Sequence, residues 1–472
     1  MAVLATIKSL ILLGVLYPRF YELFYMFYHV FRVLLVEITT FMINRDLYRK
    51  LLEWKKSERR KPLILRGARQ VGKTHLLKQF AESQYSSFVY LNFENDPALE
   101  DFFQGKLEPK KMIDKLSIYF EKKILPQETL LFFDEIQACP NALKSLKYFH
   151  EEANEFHLVS AGSLLGVKLG RSSPFPVGKV NFFDLYPLHF CEFLEAMGHK
   201  QLREYLDFKK DFLALENPFH EKLLELLKQY YFVGGMPEAV VSFQKNQDFN
   251  EVRNIQNEIL LGYQNDFSKY TTPLIAIKIS GIWNSIPSQL ARENKKFKFS
   301  EIKKSARSRE YQEALQWLID SGLVNPSYKI NKMELPLSGF RELEHFKIYF
   351  LDTGLLSAVL GLNAKTILKR SEVFLQYKGA FTENFVAQEL KTFLQKELYY
   401  WSHENQAEVD FIVSREEKIL PLEIKAGTQV KSKSLFKLQK KFQLPRVYIS
   451  SLLNFKESER VSYLPLYAVK KF

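Results

Sequence analysis

Apolar residues follow two rhythms along this chain of 472 residues. Four short uninterrupted runs, Pro62-Leu63-Ile64-Leu65, Phe88-Val89-Tyr90-Leu91, Leu130-Leu131-Phe132-Phe133 and Phe156-His157-Leu158-Val159, alternate with stretches of helical spacing. Runs of this kind read as strands buried on both faces, and their alternation with helices predicts a parallel α/β sheet. Just ahead of them, Leu47, Leu51, Leu52 and Trp54 recur at helical spacing, and a charged break over residues 55–61 closes that helix. Residues 184–270 read as mainly helical. Short helices over residues 286–324, followed by strands over 328–337 and 346–351, predict a winged helix-turn-helix. A helix over residues 379–394 with strands over 398–401, 409–413 and 420–424 predicts a further α/β module.

The first forty residues are apolar and aromatic, but Arg19, Glu22, Arg32 and Glu37 interrupt them, so no clean run of about 20 apolar residues forms a spanning helix. Three readings stay open for residues 1–41: a membrane-associated hairpin, an amphipathic helix on the body, or residues upstream of a start at Met42. Cys139 and Cys191 lie far apart, which excludes a disulfide framework and a zinc ribbon and fits a reducing cytoplasm; the inner face of the cell membrane is the alternative. The formal charge of +13 favours polyanionic partners, with nucleic acid first and an acidic membrane surface second.

The segment Gly67-Ala68-Arg69-Gln70-Val71-Gly72-Lys73-Thr74 follows a strand and opens a helix, and it matches Gly-x-x-x-x-Gly-Lys-Ser/Thr in full. Glycines let backbone N–H groups wrap phosphates and the helix N-terminus favours their charge. Lys73 reaches the outer phosphate oxygens, while Thr74 ligates Mg. The apolar run 130–133 delivers Asp134 and Glu135 to the C-terminal edge of the sheet, where such sheets bind ligands. Asp134 is expected to organise Mg2+ and Glu135 to polarise the attacking water, so ATP hydrolysis is the predicted chemistry.

These motifs resemble those of AAA+ ATPases, and in particular of a prokaryotic group with a nuclease-like C-terminal domain. The resemblance also rests on Phe133-Asp134-Glu135-Ile136-Gln137, Ala161-Gly162-Ser163, Pro176-Val177-Gly178-Lys179, Tyr186-Pro187-Leu188 with Glu192-Phe193, and Gly234-Gly235-Met236-Pro237-Glu238. It implies that Ser163 is the polar sensor, with Ser160 as competitor. Arg171 and Lys179 are the nearest basic residues for an arginine finger, and Glu238 stands where such lids often carry Arg.

Downstream, Lys303, Lys304, Arg307 and Arg309 form a basic helical segment suited to phosphates, or simply a solvated face. In the last module Glu383 lies on a helix, Asp410 on one strand, and Glu423 and Lys425 on the next; period two puts Glu423 and Lys425 on one face. Asp410 and Glu423 can hold Mg2+ near a scissile phosphate and Lys425 can stabilise developing charge, with Glu408 as an alternative ligand. The pattern resembles the PD-(D/E)xK nuclease superfamily, whose folds also serve as inactive binding modules.

The expectation is therefore an α/β multidomain chain. It comprises an N-terminal extension (1–41), a P-loop AAA+ parallel-sheet core (42–183), a helical lid (184–275), a winged helix (276–351) and a restriction-endonuclease-like α/β domain (352–472). Catalytic roles fall to Lys73, Glu135 and Ser163 in one site and to Glu383, Asp410, Glu423 and Lys425 in the other. Metal ligands are Thr74, Asp134, Asp410 and Glu423. The expected function is an ATP-driven switch acting on DNA, as a possible homo-oligomer. Its rival is a regulatory ATPase, with membrane association as an option, whose nuclease-like last domain cuts nothing and serves as a protein- or DNA-binding module.

Overall fold

The computed structural model describes residues 43–163, 178–269, 271–292, 295–368, 372–403, 407–428, 430 and 432–472. The chain divides into two units between Asn44 and Arg45, and the second, Arg45–Phe472, is compact. The expected N-terminal extension, the start at Met42 and Arg171 lie outside the described residues. Among the described residues no helix is long and apolar enough to cross a membrane.

The second unit opens with α1 (Leu47–Lys56), whose Leu47, Leu51 and Trp54 are buried. It continues with β1 (Leu63–Gly67), α2 (Lys73–Gln84), β2 (Ser87–Asn92), α3 (Pro109–Tyr119), β3 (Thr129–Asp134), α4 (Pro140–Glu152), β4 (His157–Ser163) and β5 (Asn181–Asp184). The strands form a five-stranded sheet in the order β2-β3-β4-β1-β5, parallel throughout. All six residues of β3 are buried, as a central strand covered on both faces requires. Phe93, Phe103, Phe133 and Phe149 meet edge to face beneath it, between the sheet and α4. This is a P-loop ATPase-like parallel core. The four expected strands are present, and β5 adds an unforeseen fifth next to β1.

Helices α5 (Phe190–Ala196), α6 (Lys200–Phe208), α7 (Asn217–Val233), α8 (Pro237–Asn246), α9 (Phe249–Lys269), α10 (Pro273–Leu290) and α11 (Ser308–Asp320) follow. Helix α7 carries Pro218 in its first turn and stops at Gly234, whose φ of 73° ends the helical path.

The chain then builds a mixed eight-stranded sheet from β6 (Val324–Ile330), β7 (Arg341–Phe350), β8 (Leu398–His403), β9 (Ala407–Arg415), β10 (Lys418–Ile424), β11 (Val447–Ser451), β12 (Lys456–Glu457) and β13 (Val461–Pro465). Their order is β12-β13-β11-β10-β9-β8-β6-β7. Helices α12 (Thr353–Val359), α13 (Ala364–Leu368), α14 (Glu372–Leu394) and α15 (Lys433–Phe442) complete the chain. Leu435 and Leu438 of α15 join Trp401, Val409, Ile412, Val447 and Ile449 in one apolar core.

One expectation takes a different form here. The hairpin read as the wing of a separate module is β6–β7, and β6 pairs in parallel with β8 from Ser327–Leu398 to Ile330–Trp401. It therefore continues the C-terminal sheet. The unpaired edge of β6 is satisfied by ladder hydrogen bonds to a strand some seventy residues further on, where an isolated wing would leave it to solvent.

Candidate functional site

Residues 67–74 make the turn from β1 into α2. Gly72 has a φ of 92°, a region open to glycine at no steric cost, and a Cβ there would lie 3.5 Å from Cγ of Pro237 and 3.9 Å from Nη1 of Arg45. Lys73 is 7% exposed and its ammonium donates to the carbonyls of Gly67 at 3.2 Å and Ala68 at 2.8 Å. Burial lowers it to about 8, against the opposing pull of Glu135 and Asp134. Thr74 Oγ1 donates to Oδ2 of Asp134 at 2.9 Å, and the Tyr90 hydroxyl donates to the same oxygen at 2.8 Å. A hydroxyl and a buried carboxylate thus share one point at the carboxyl edge of the sheet, the donor set a Mg2+ ion takes beside phosphates. Glu135 follows in a left-handed conformation with φ of 49°, and its carboxylate accepts from Gln137 Nε2.

Ser163 ends β4 as the register partner of Gly67. Ser160 is fully buried and its hydroxyl donates to the Leu63 carbonyl at 3.0 Å, so it is turned into the sheet. Lys179 pairs with Glu151 at 2.9 Å on the surface at the end of α4. Glu238 is exposed in the first turn of α8.

The buttress of this loop carries no local signal. Arg45 is 9% exposed; it donates to the Val71 carbonyl at 3.0 Å and the Tyr186 carbonyl at 2.6 Å, and it faces Glu192 at 3.1 Å. Asp46, His189 and Glu192 bring ligand atoms within 4.8 Å of one another, but Arg45, Arg203 and Lys470 already neutralise them. His189 rises to about 10, since Glu192 and the Asp46 bond outweigh burial. The group is an ion-pair network.

The second constellation lies on α14 and the C-terminal sheet. The Ile424 N–H donates to Asp410 Oδ2 at 2.8 Å, and Lys425 Nζ meets Glu423 Oε1 at 2.7 Å. Two cations absent from the sequence reading enter as well. Lys347 of β7, with no exposed surface, reaches Glu383 at 3.7 Å, Asp410 at 3.8 Å and also Glu408. Lys295 pairs with Glu383, which also accepts from the Tyr349 hydroxyl at 3.2 Å. Glu408 is thus engaged by Lys347. The missed signal was Lys347-x-Tyr349 within the buried half of β7, Phe346 to Phe350, two polar tips on one face by period two. Burial raises Asp410 well above the usual carboxylate range, with Glu383 and Glu423 adding to it. Glu423 rises through burial although Lys425 opposes the shift, while Lys295 and Lys347 hold Glu383 down against burial. Oε2 of Glu423 is buried without a hydrogen-bond partner among the described residues. An orphaned carboxylate oxygen beside Asp410 fits a divalent cation, which would fill the missing bond and relieve the like charges.

The two sites are bridged by the turn at Gly234 and Gly235. The Gly235 N–H donates to Asp352 Oδ2 at 2.6 Å, and the Leu188 N–H donates to the Gly235 carbonyl at 2.7 Å. Helix α14 supplies Gln388, bonded to the Tyr230 hydroxyl at 2.8 Å, and Glu389, which accepts from the Phe190 N–H at 2.9 Å. Burial raises Asp352 to about 6 and Glu389 to about 7.

Residues 59–194 match the family model described as "AAA domain"; residues 224–366 and 378–468 match two models described as domains of unknown function, DUF8612 and DUF4143. An uncharacterized protein of Mycobacterium tuberculosis is 34% identical over 113 residues, 24% of this chain and 25% of that protein. An uncharacterized protein of Methanocaldococcus jannaschii is 24% identical over 210 residues, 41% of this chain and 42% of that one. The chain thus spans well under half the length of these relatives. Among solved structures, the Walker-type ATPase PABY2304 of Pyrococcus abyssi is similar with a TM-score of 0.42 and 14% identity, covering 68% of this chain and 96% of that one. The Aeropyrum pernix Orc1 protein in complex with DNA gives 0.29 and 11%, covering 68% and 92%. Residues 59–194 thus match an AAA domain over the stretch that carries the phosphate loop, in a P-loop ATPase-like parallel core.

Proposed function

We propose that the chain is a Mg-dependent ATPase that works as an ATP-driven switch on DNA, one engine serving the module that follows it. The observation that carries this reading is the meeting of Thr74 with Asp134 at 2.9 Å beside the buried Lys73. Mg2+ would be held by Thr74 and Asp134 and would neutralise phosphate charge when bound. Lys73 binds the outer phosphates, Ser163 fixes a phosphate or the water, and Glu135 accepts the water's proton. The water oxygen bonds to the γ-phosphorus as the bond to the bridging oxygen breaks, leaving ADP and phosphate.

The DNA part of the reading is supported by Lys303, Lys304, Arg307 and Arg309, all exposed around the start of α11. A basic surface of this kind suits phosphate contacts. Asp410 and Glu423 would hold a cation, with Glu383 and Lys425 beside it, in an endonuclease-like site. The boundaries 42–183, 184–275, 276–351 and 352–472 divide the labour, with a homo-oligomer and a cytoplasmic setting as part of the same reading and contact of residues 1–41 with a membrane as its alternative.

The experiment is ATP turnover by the purified full chain with and without single-stranded, duplex and branched DNA, each paired with Mg-dependent cleavage. Stimulation by any DNA, lost in Lys73→Ala, supports the reading; turnover indifferent to every DNA defeats it. One observation favours the rival, a regulatory ATPase with a non-cutting module: Lys347 already sits among Glu383, Glu408 and Asp410. Under it, cleavage is absent and Asp410→Asn changes nothing on DNA.

A further inference from the structure

The arginine that an AAA-type ATPase sets against its terminal phosphate is not found at Lys179, which is spent on Glu151. A different arginine stands inside the phosphate loop itself. Arg69 is the third residue of the Gly67–Thr74 segment, and with Ser163, Tyr263, Asp266 and Trp317 it lines a small cavity at the end of β4. Ser163 is the register partner of Gly67, so this cavity opens at the rim of the loop that wraps the phosphates.

One face of α9 holds the arginine there. Tyr263, Asp266 and Lys269 recur every three residues and so share a side of the helix. The Tyr263 hydroxyl donates to the Arg69 carbonyl at 2.9 Å, Asp266 takes the guanidinium at 2.8 Å, and Lys269 meets Glu94 at 2.8 Å in the turn after β2. Asp266 is largely buried, at 14% side-chain exposure, while Arg69 keeps 31%. Part of the Arg69 side chain thus stays accessible, and the carboxylate of Asp266 that holds it is one that a phosphate group of higher charge can outbid.

The geometry points to Arg69 as a catalytic residue that acts in cis on the γ-phosphate, held in reserve by Asp266 on α9. This rests on residues 67–74 being the ATP site. When ATP occupies the loop, Arg69 leaves Asp266 for the γ-phosphate oxygens and stabilises their charge as the bond to the bridging oxygen breaks. Water adds to the phosphorus, its proton passes to Glu135, and the electron pair leaves with ADP. ADP has no γ-phosphate, so Asp266 recovers the arginine and α9 closes on the loop again. The exchange makes the position of α9 a reporter of which nucleotide is bound.

The test compares wild type with Arg69→Ala, Arg69→Lys and Asp266→Asn in the full chain, measuring affinity for ADP and for ATP, turnover, and trapping of Mg-ADP by aluminium fluoride. In Arg69→Ala, turnover should fall on the order of 1,000-fold, as for loss of an arginine finger, and trapping should vanish while ADP affinity stays within about threefold. Arg69→Lys should restore part of the trapping, because the charge returns without the fork. Asp266→Asn should raise affinity for ATP relative to ADP, since the competitor carboxylate is gone. Turnover and trapping at wild-type levels in Arg69→Ala would overturn the proposal. So would loss of ADP binding in both Arg69 variants, which marks a purely structural loop residue, or an unchanged ATP-to-ADP ratio in Asp266→Asn. A wild-type protein that binds neither nucleotide is a separate failure, that of the ATP site, and is read before any variant.

Discussion

Two lysines with almost no exposed surface sit in the two sites, and their surroundings are opposites. Among the described residues Lys73 bonds directly to the carbonyls of Gly67 and Ala68, and burial pulls its ammonium down to about 8. Lys347 is ringed by Glu383, Glu408 and Asp410; burial would lower it, but Tyr349 and those carboxylates push it well above its ordinary value. A buried cation left under-compensated is a standing demand for an anion, and a loop that waits for phosphates has reason to keep one. A buried cation compensated three times over makes no such demand. It organises the carboxylates around it, leaving Glu423 Oε2 as the group in want of a partner. Under the proposed function the first site would receive negative charge and the second positive charge.

The contrast can be broken most directly by removing each ammonium. Lys347→Met strands three carboxylates in the interior and is expected to cost about 3–5 kcal/mol of unfolding free energy, the range for breaking a buried ion pair. Lys73→Met, read in the same denaturant titration, should cost nothing. Its folded pKa lies below its unfolded one, so the charged form is penalised up to pH 8, and relief should add on the order of 2 kcal/mol at pH 7. Equal losses in the two variants would erase the distinction. The nucleotide titration of Lys73→Met should meanwhile show ATP binding weakened by about 100-fold, the order set by a lost charge-assisted phosphate contact.

Glu389→Gln sharpens the comparison at a third buried group. Its carboxyl is raised to about 7, so the folded state binds the extra proton between the unfolded pKa and pH 7, and stability falls as pH rises through that window. Glutamine keeps the oxygen that accepts from the Phe190 N–H. The variant should be about 2 kcal/mol more stable than wild type at pH 8 and equal to it near pH 4, as melting curves at both pH values would report. The smallest effect is proton uptake at Lys73. Above pH 8 part of the ammonium is neutral, and ATP should recharge it, so calorimetric enthalpies at pH 9 should vary with the buffer's ionisation enthalpy by up to about one proton. Buffer-independent heats would put the proton elsewhere.

The ATPase core was legible because its signals are local. Leu130-Leu131-Phe132-Phe133 reads as a short strand covered on both faces, and Gly72 and Lys73 carry their chemistry at fixed spacing. Strand β5 was missed because Asn181-Phe182-Phe183-Asp184 is a four-residue edge strand with polar ends. The hairpin β6–β7 was legible as a hairpin, but its pairing with β8 is a contact across some seventy residues that no local pattern announces. The same limit hid Arg45, Lys295 and Lys347. Each is an ordinary basic residue in sequence, and its role comes from partners that the fold brings from far along the chain.

The bonds at Gly235 also bear on how such a chain can be cut or recombined. The Gly235 N–H is answered by Asp352, the Phe190 N–H by Glu389 and the Tyr230 hydroxyl by Gln388, and all of these groups are buried. A gene fragment that stops before residue 352 would encode the ATPase-like core and the helices after it with the Gly235 and Phe190 N–H groups facing nothing, at about 1–3 kcal/mol each, and with the Tyr230 hydroxyl left to the Leu188 carbonyl alone. The C-terminal module is thus less a detachable passenger than the missing half of the interior packed around α5 and α7, and a lineage that exchanged it for another would have to supply those partners anew.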